Sequence, residues 1–181
     1  MNYSTRQPLL LVDGYNIIGA WQNLQRTRDR DGLESARQDL IGIIIDYSVY
    51  QGLKTEIIFD SHLQRTPKQK EQHGANVSVY YTAFAQTADT YIERICAAFS
   101  RAHLPTIPRL IVATSDRAQR LTAVGYGAEW FSAEKFKLEV EATASQVKRK
   151  NRPRNNPKGR FLVNSLDPKT QALLSQWRHG K

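Results

Sequence analysis

The sequence predicts an α/β domain built on a mainly parallel sheet. Three observations carry this. Short apolar-rich runs at 9–12, 54–59 and 109–114 read as buried strands. Stretches whose apolar residues keep helical spacing separate them. Each run ends at an aspartate or within two residues of one: Asp13, Asp60 and Asp116.

Taken in order, Leu9–Val12 is a strand that stops in a turn at Asp13-Gly14. From Leu33 to Tyr50, Leu33, Ala36, Leu40, Ile43, Ile44 and Tyr47 keep one helix face, and Asp31 with Glu34 has the spacing of a capping box. Residues 54–59 form the second strand. Residues 61–75, polar and holding Pro67 and Gly74, are expected as an exposed loop. Val77, Val79 and Tyr81 alternate as a short strand does. Thr87 can then cap a helix with Ala88, Ile92, Ile95, Cys96 and Phe99 on its apolar face. Pro105 and Pro108 break the chain before the strand at 109–114. A short helix to about Val124, a strand near Glu129–Phe131 and a helix from Ser132 to about Lys148 complete the domain.

The chain has 181 residues, 40% hydrophobic and 24% charged, which suits one domain with a packed core and excludes a disordered chain or a disulfide scaffold. No apolar run approaches the ~20 residues that cross a bilayer, and no signal-peptide pattern opens the chain. A single cysteine, Cys96, fits a reducing compartment, so the expected location is the cytoplasm.

Charge is unevenly placed. Residues 1–145 hold 16 Lys/Arg and 16 Asp/Glu, whereas 146–181 hold ten cations against Asp167 and so carry the whole net charge of +9. Seven cations fall within 148–160: Lys148, Arg149, Lys150, Arg152, Arg154, Lys158 and Arg160. Such a segment reads as a linker or an RNA-contacting arm, and the alternative is a solubilising tail. After it, Pro168–Trp177 can form a short helix. The expected organisation is a domain over 1–147 and a basic arm with a C-terminal helix over 148–181.

In a parallel sheet the crevice beyond the strands' C-terminal ends is the usual ligand site, so Asp13, Asp60 and Asp116 converge there if their strands are neighbours. Asp89 and Glu93, four residues apart, share a helix face, and neither has a cation three or four positions away on that helix. A hard divalent cation, Mg²⁺ or Mn²⁺, would compensate this charge. Alternatively, each aspartate caps a turn or pairs with an arginine such as Arg117. The four histidines, His62, His73, His103 and His179, lack zinc-ligand spacing, and no phosphate loop or serine nucleophile elbow is present. Tyr15 and Trp21 are candidates for stacking on bases.

Leu11-Val12-Asp13-Gly14-Tyr15-Asn16, Phe59-Asp60, Thr87-Ala88-Asp89 with Glu93, and Ala113-Thr114-Ser115-Asp116 together resemble the YacP-like NYN family of the PIN-like nuclease superfamily. The resemblance covers roughly residues 8–150, and 148–164 departs most from the family pattern. It implies a PIN-like three-layer fold and a metal-dependent endoribonuclease, similar to bacterial ribosome-associated enzymes that cut mRNA during translation. Asp13, Asp89 and Asp116 would then hold the metal, Asn16, Asp60 and Glu93 would orient ligands or water, and Ser115 would assist. The competing reading is a non-catalytic RNA- or ribosome-binding adaptor that keeps the pocket.

Overall fold

A computed structural model of the chain describes residues 7–60, 69–83, 86–101 and 107–150. By compactness the chain divides into two units, Met1–Val147 and Lys148–Lys181.

Six strands form one sheet: β1 (Leu9–Asp13), β2 (Lys54–Phe59), β3 (Gln69–His73), β4 (Val77–Tyr81), β5 (Leu110–Ala113) and β6 (Glu129–Phe131). Their order is β3-β4-β2-β1-β5-β6, and every pairing is parallel except β3 with β4. The chain builds outward from β1 through β2 to β4, then returns to lay β5 on the other side of β1. The direction of winding therefore reverses between β1 and β5, and such switch points open a crevice at the strands' C-terminal ends.

Helices α1 (Gly14–Ala20), α2 (Gln22–Asp31), α3 (Leu33–Gln51) and α6 (Ala133–Lys150) supply one face, and α4 (Ala88–Arg101) and α5 (Arg117–Gly125) the other. Strand alternation divides the core accordingly. Leu10, Val12, Ile57, Phe59 and Val79 pack with Leu40, Ile44 and Phe136. Leu11, Ile58, Tyr80 and Val112 face Tyr91, Ile92 and Cys96. The result is the expected three-layer α/β architecture. Among the described residues no helix is long and apolar enough to cross a membrane.

Several local expectations are corrected. Residues 14–31 hold two helices where the sequence suggested only a turn. The capping box does not form: Asp31 ends α2 with its carboxylate on Arg30 at 2.6 Å, and the N-cap of α3 is Gly32, at φ 91. Within the expected loop, 69–73 is β3, an edge strand whose polar residues pair with β4; residues 61–68 lie outside the described residues. The final helix continues to Lys150, so Lys148, Arg149 and Lys150 are its last turn rather than the start of a linker. Arg152, Arg154, Lys158, Arg160 and the expected C-terminal helix lie outside the described residues, as do His62, His103 and His179.

Gly14 is required by packing. A Cβ there would lie 2.2 Å from the Phe59 ring, which is fully buried and flanked by Tyr15 and Tyr81 at centroid distances of 5.0 and 5.8 Å. Gly14→Ala is expected to destabilise the fold by about 1–3 kcal/mol, the usual cost of overpacking, measurable by chemical denaturation.

Candidate metal and nucleic-acid site

Asp13, Asp60 and Asp116 each cap the start of a helix. Asp13 is the N-cap of α1 and accepts the Asn16 N–H at 3.1 Å. Asp116 is the N-cap of α5 and accepts the Gln119 N–H at 2.9 Å, while its own N–H donates to Thr114 Oγ1 at 3.0 Å. Asp60, just past β2, accepts the N–H of Ala88, the first residue of α4. Thr87 caps the same helix as expected, accepting the Thr90 N–H at 3.2 Å. The capping alternative is thus realised, yet capping engages one oxygen of each carboxylate and leaves its charge in place.

Because β2, β1 and β5 are neighbours, these aspartates share the C-terminal edge of the sheet, and α4 adds Asp89 from its first turn. Burial and neighbouring charge act together on two of them, Asp13 and Asp89. Burial pushes the Asp13 carboxyl up to about 6, its bond from the Asn16 N–H opposes this, and the charges of Asp89 and Asp60 add to the rise. Asp89 is also raised, by desolvation and by the charges of Asp116 and Asp60. Among the described residues Asp13, Asp89 and Asp116 make no ion pair, Arg117 included.

Asn16 ties α1 to the loop after β5, its Oδ1 accepting the Ser115 N–H at 2.6 Å. It therefore positions the segment that carries Asp116. Ser115 is exposed and contributes that backbone N–H to the arrangement. Glu93 is not brought into the group: the charges that raise Asp13 and Asp89 come from Asp60, Asp89 and Asp116. Glu93 lies exposed one turn along α4, where it acts on the buried Cys96 thiol, pushed up to about 11 mainly by burial.

The stacking candidates separate. Trp21 is buried, its ring 5.5 Å from Phe136 and its Nε1–H donating to Ala133 O at 2.9 Å, so it belongs to the core. Tyr15 stays half-exposed beside the acidic edge, its hydroxyl in the field of Asp60.

Sequence reasoning missed Gln119. Its Nε2 donates to Asp89 Oδ1 at 2.5 Å, and the same side chain hydrogen-bonds the Asp13 carboxyl. Among the described residues no three acidic, histidine or cysteine side chains close on a single point, and this amide touches two of the carboxylates expected to do so. The discoverable signal was its position three residues after Asp116, the N3 position of a capped helix.

Does this donor set fit a divalent cation? Its oxygens are hard, its carboxylates repel one another, and a buried amide oxygen beside them, Gln119 Oε1, has no partner among the described residues. Hard dications take such oxygens. The residues fit.

Fold and site together define a PIN-like α/β domain with an acidic strand edge at its switch point. The model of the YacP-like NYN domain family matches residues 10–179, and the chain belongs to that family. It is 33% identical over 174 residues to the uncharacterized protein YacP of Bacillus subtilis (strain 168), spanning 95% of this chain and 97% of that one. The crystal structure of Rae1 (YacP) from Bacillus subtilis is similar with a TM-score of 0.66 and 31% identity, over 96% of each chain. The crystal structure of a mutant of that protein gives the same TM-score of 0.66 at 27% identity, over 94% of this chain and 99% of that one. The relationship makes this a nuclease-type domain with an RNA-related function.

Proposed function

We propose that the protein is a Mg²⁺- or Mn²⁺-dependent endoribonuclease of the cytoplasm that hydrolyses RNA phosphodiester bonds, with mRNA on the ribosome as its setting. The observation that carries this is the acidic edge itself. Asp13 lies in the fields of Asp89 and Asp60, and Asp89 in those of Asp116 and Asp60; burial first, and these charges after it, raise both Asp13 and Asp89. A fold seeking only stability would not keep that repulsion.

Asp13, Asp89 and Asp116 would hold the ion. Bound there, it would supply Lewis acidity, drawing negative charge from a phosphate oxygen. The chain's own residues set the frame. Asn16 fixes the Ser115–Asp116 loop, Asp60 fixes the start of α4 and with it Asp89, and Gly14 lets α1 close on Phe59. Tyr15, half-exposed beside Asp13, offers a ring face to a base. Lys148, Arg149 and Lys150, exposed on the last turn of α6, open the cationic segment that would follow the RNA backbone.

The test uses the full chain, freed of metal by chelation, with end-labelled RNA. Internal cleavage is expected on adding Mn²⁺ or Mg²⁺ and none in chelator. RNA retained on the protein without cleavage under both conditions would favour the adaptor.

A further inference from the structure

Gln119 meets all three proposed metal carboxylates at once. Its backbone N–H donates to Asp116 Oδ1 at 2.9 Å, its Nε2 to Asp89 Oδ1 at 2.5 Å, and its amide also bonds the Asp13 carboxyl. The residue is 5% exposed, and its Oε1 is buried with no hydrogen-bond partner among the described residues. A buried carbonyl oxygen without a partner has given up its hydration for nothing in return, so a native site that retains one calls for a physical reason.

The arrangement has one. Without a cation, the carboxylates need N–H donors, and the amide of Gln119 turns its nitrogen to them. That choice leaves the oxygen stranded. With a dication among the carboxylates, their demand for N–H donors falls, and an amide oxygen is a favourable hard ligand. An amide exchanges the two faces by rotating about its last side-chain bond, with the backbone in place. The cap from the Gln119 N–H to Asp116 is unaffected by that rotation.

We propose that Gln119 is a further oxygen donor to the divalent cation, its amide bridging Asp13 and Asp89 while the site is empty and presenting Oε1 when the cation binds. This rests on the metal-dependent reading above but assigns a residue outside the acidic motifs. It also accounts for an uncharged side chain at the centre of the acidic group. A further acid there would add to the repulsion among carboxylates already gathered at this edge, whereas an amide can serve both states.

Mn²⁺ binding to the full chain without RNA, followed by the electron-spin-resonance signal of free Mn²⁺, tests it independently of turnover. Gln119→Leu keeps the size and the backbone cap but removes both amide atoms; it is expected to bind Mn²⁺ at least tenfold more weakly. Gln119→Glu restores an oxygen and adds charge. It is expected to bind at least as tightly as the unaltered protein and to show a larger rise in melting temperature on adding Mn²⁺. Equal affinity in the unaltered and Gln119→Leu proteins would overturn the assignment while leaving the metal site standing. No Mn²⁺ binding by the unaltered protein would overturn both. Should Gln119→Leu fail to fold, Gln119→Glu decides alone, and weaker binding by it would refute the role of the oxygen.

Discussion

Replacing Asp13 with asparagine is expected to abolish RNA cleavage and, in metal-free buffer near neutral pH, to make the fold more stable. The loss of activity follows from removing a carboxylate at the reacting edge and should be about a thousandfold or more, equivalent to about 4 kcal/mol of transition-state stabilisation. The gain in stability follows from the folded-state acidity. The carboxyl titrates at about 6 in the fold against 3.8 when free, so on raising the pH the unfolded chain releases this proton first. The penalty on the folded state therefore builds between about pH 4 and 6, stays constant above, and amounts to about 3 kcal/mol. Asparagine cannot ionise, and its Oδ1 still accepts the Asn16 N–H, so the cap survives. Denaturation curves at pH 7.5 should show the variant more stable by up to that amount, with the difference closing as the pH falls to 4. A variant less stable than the parent at pH 7.5 would contradict the penalty assigned to the ionised Asp13 carboxyl, and undiminished cleavage by it would contradict its place at the reacting edge.

The second large effect is expected from the basic segment. If all seven cations between Lys148 and Arg160 met phosphates of single-stranded RNA, the log–log slope of affinity against salt would be about −5. Between 50 and 200 mM salt that corresponds to about a thousandfold in affinity, an upper bound, since few arms engage every charge. Changing the seven to glutamine should flatten the slope and weaken RNA binding, with cleavage at saturating RNA nearly preserved because the acidic edge is untouched. Filter binding across a salt series measures it. An unchanged slope would assign the RNA path to the 1–147 domain, whose first 145 residues are electrically neutral.

The strands and the acids were legible because both leave strong local marks. A buried parallel strand is a short apolar run, and a ligand-binding edge ends that run with a polar residue, as Val12-Asp13 and Phe59-Asp60 do. What stayed hidden lacked such marks. Helix α1 is seven residues long with glycines at 14 and 19, and α2 buries Leu24 alone, so neither shows periodicity. Strand β3 is polar because it is an edge strand against β4. Asp31 and Glu34 had the spacing of a cap, but Arg30 was adjacent and took the Asp31 carboxylate. Trp21 looked available for bases until Phe136 and Ala133, 112 residues on from it in the latter case, closed over it. Gln119 carries no charge, and its importance exists only once α4 and α5 bring Asp89 and Asp116 to the same edge.

The chemistry of the RNA ends tests the central claim most directly. Cleavage through the RNA's own 2′-hydroxyl usually relies on paired acid and base side chains, often histidines. The described histidine, His73, sits on β3 beside Glu71 at 3.2 Å, away from the group formed by Asp13, Asp60, Asp89 and Asp116. Attack by water directed from the acidic edge instead leaves a 5′-phosphate and a 3′-hydroxyl. Mass spectrometry of the fragments from Mn²⁺-loaded protein is predicted to find those ends, and 2′,3′-cyclic phosphates would contradict the account.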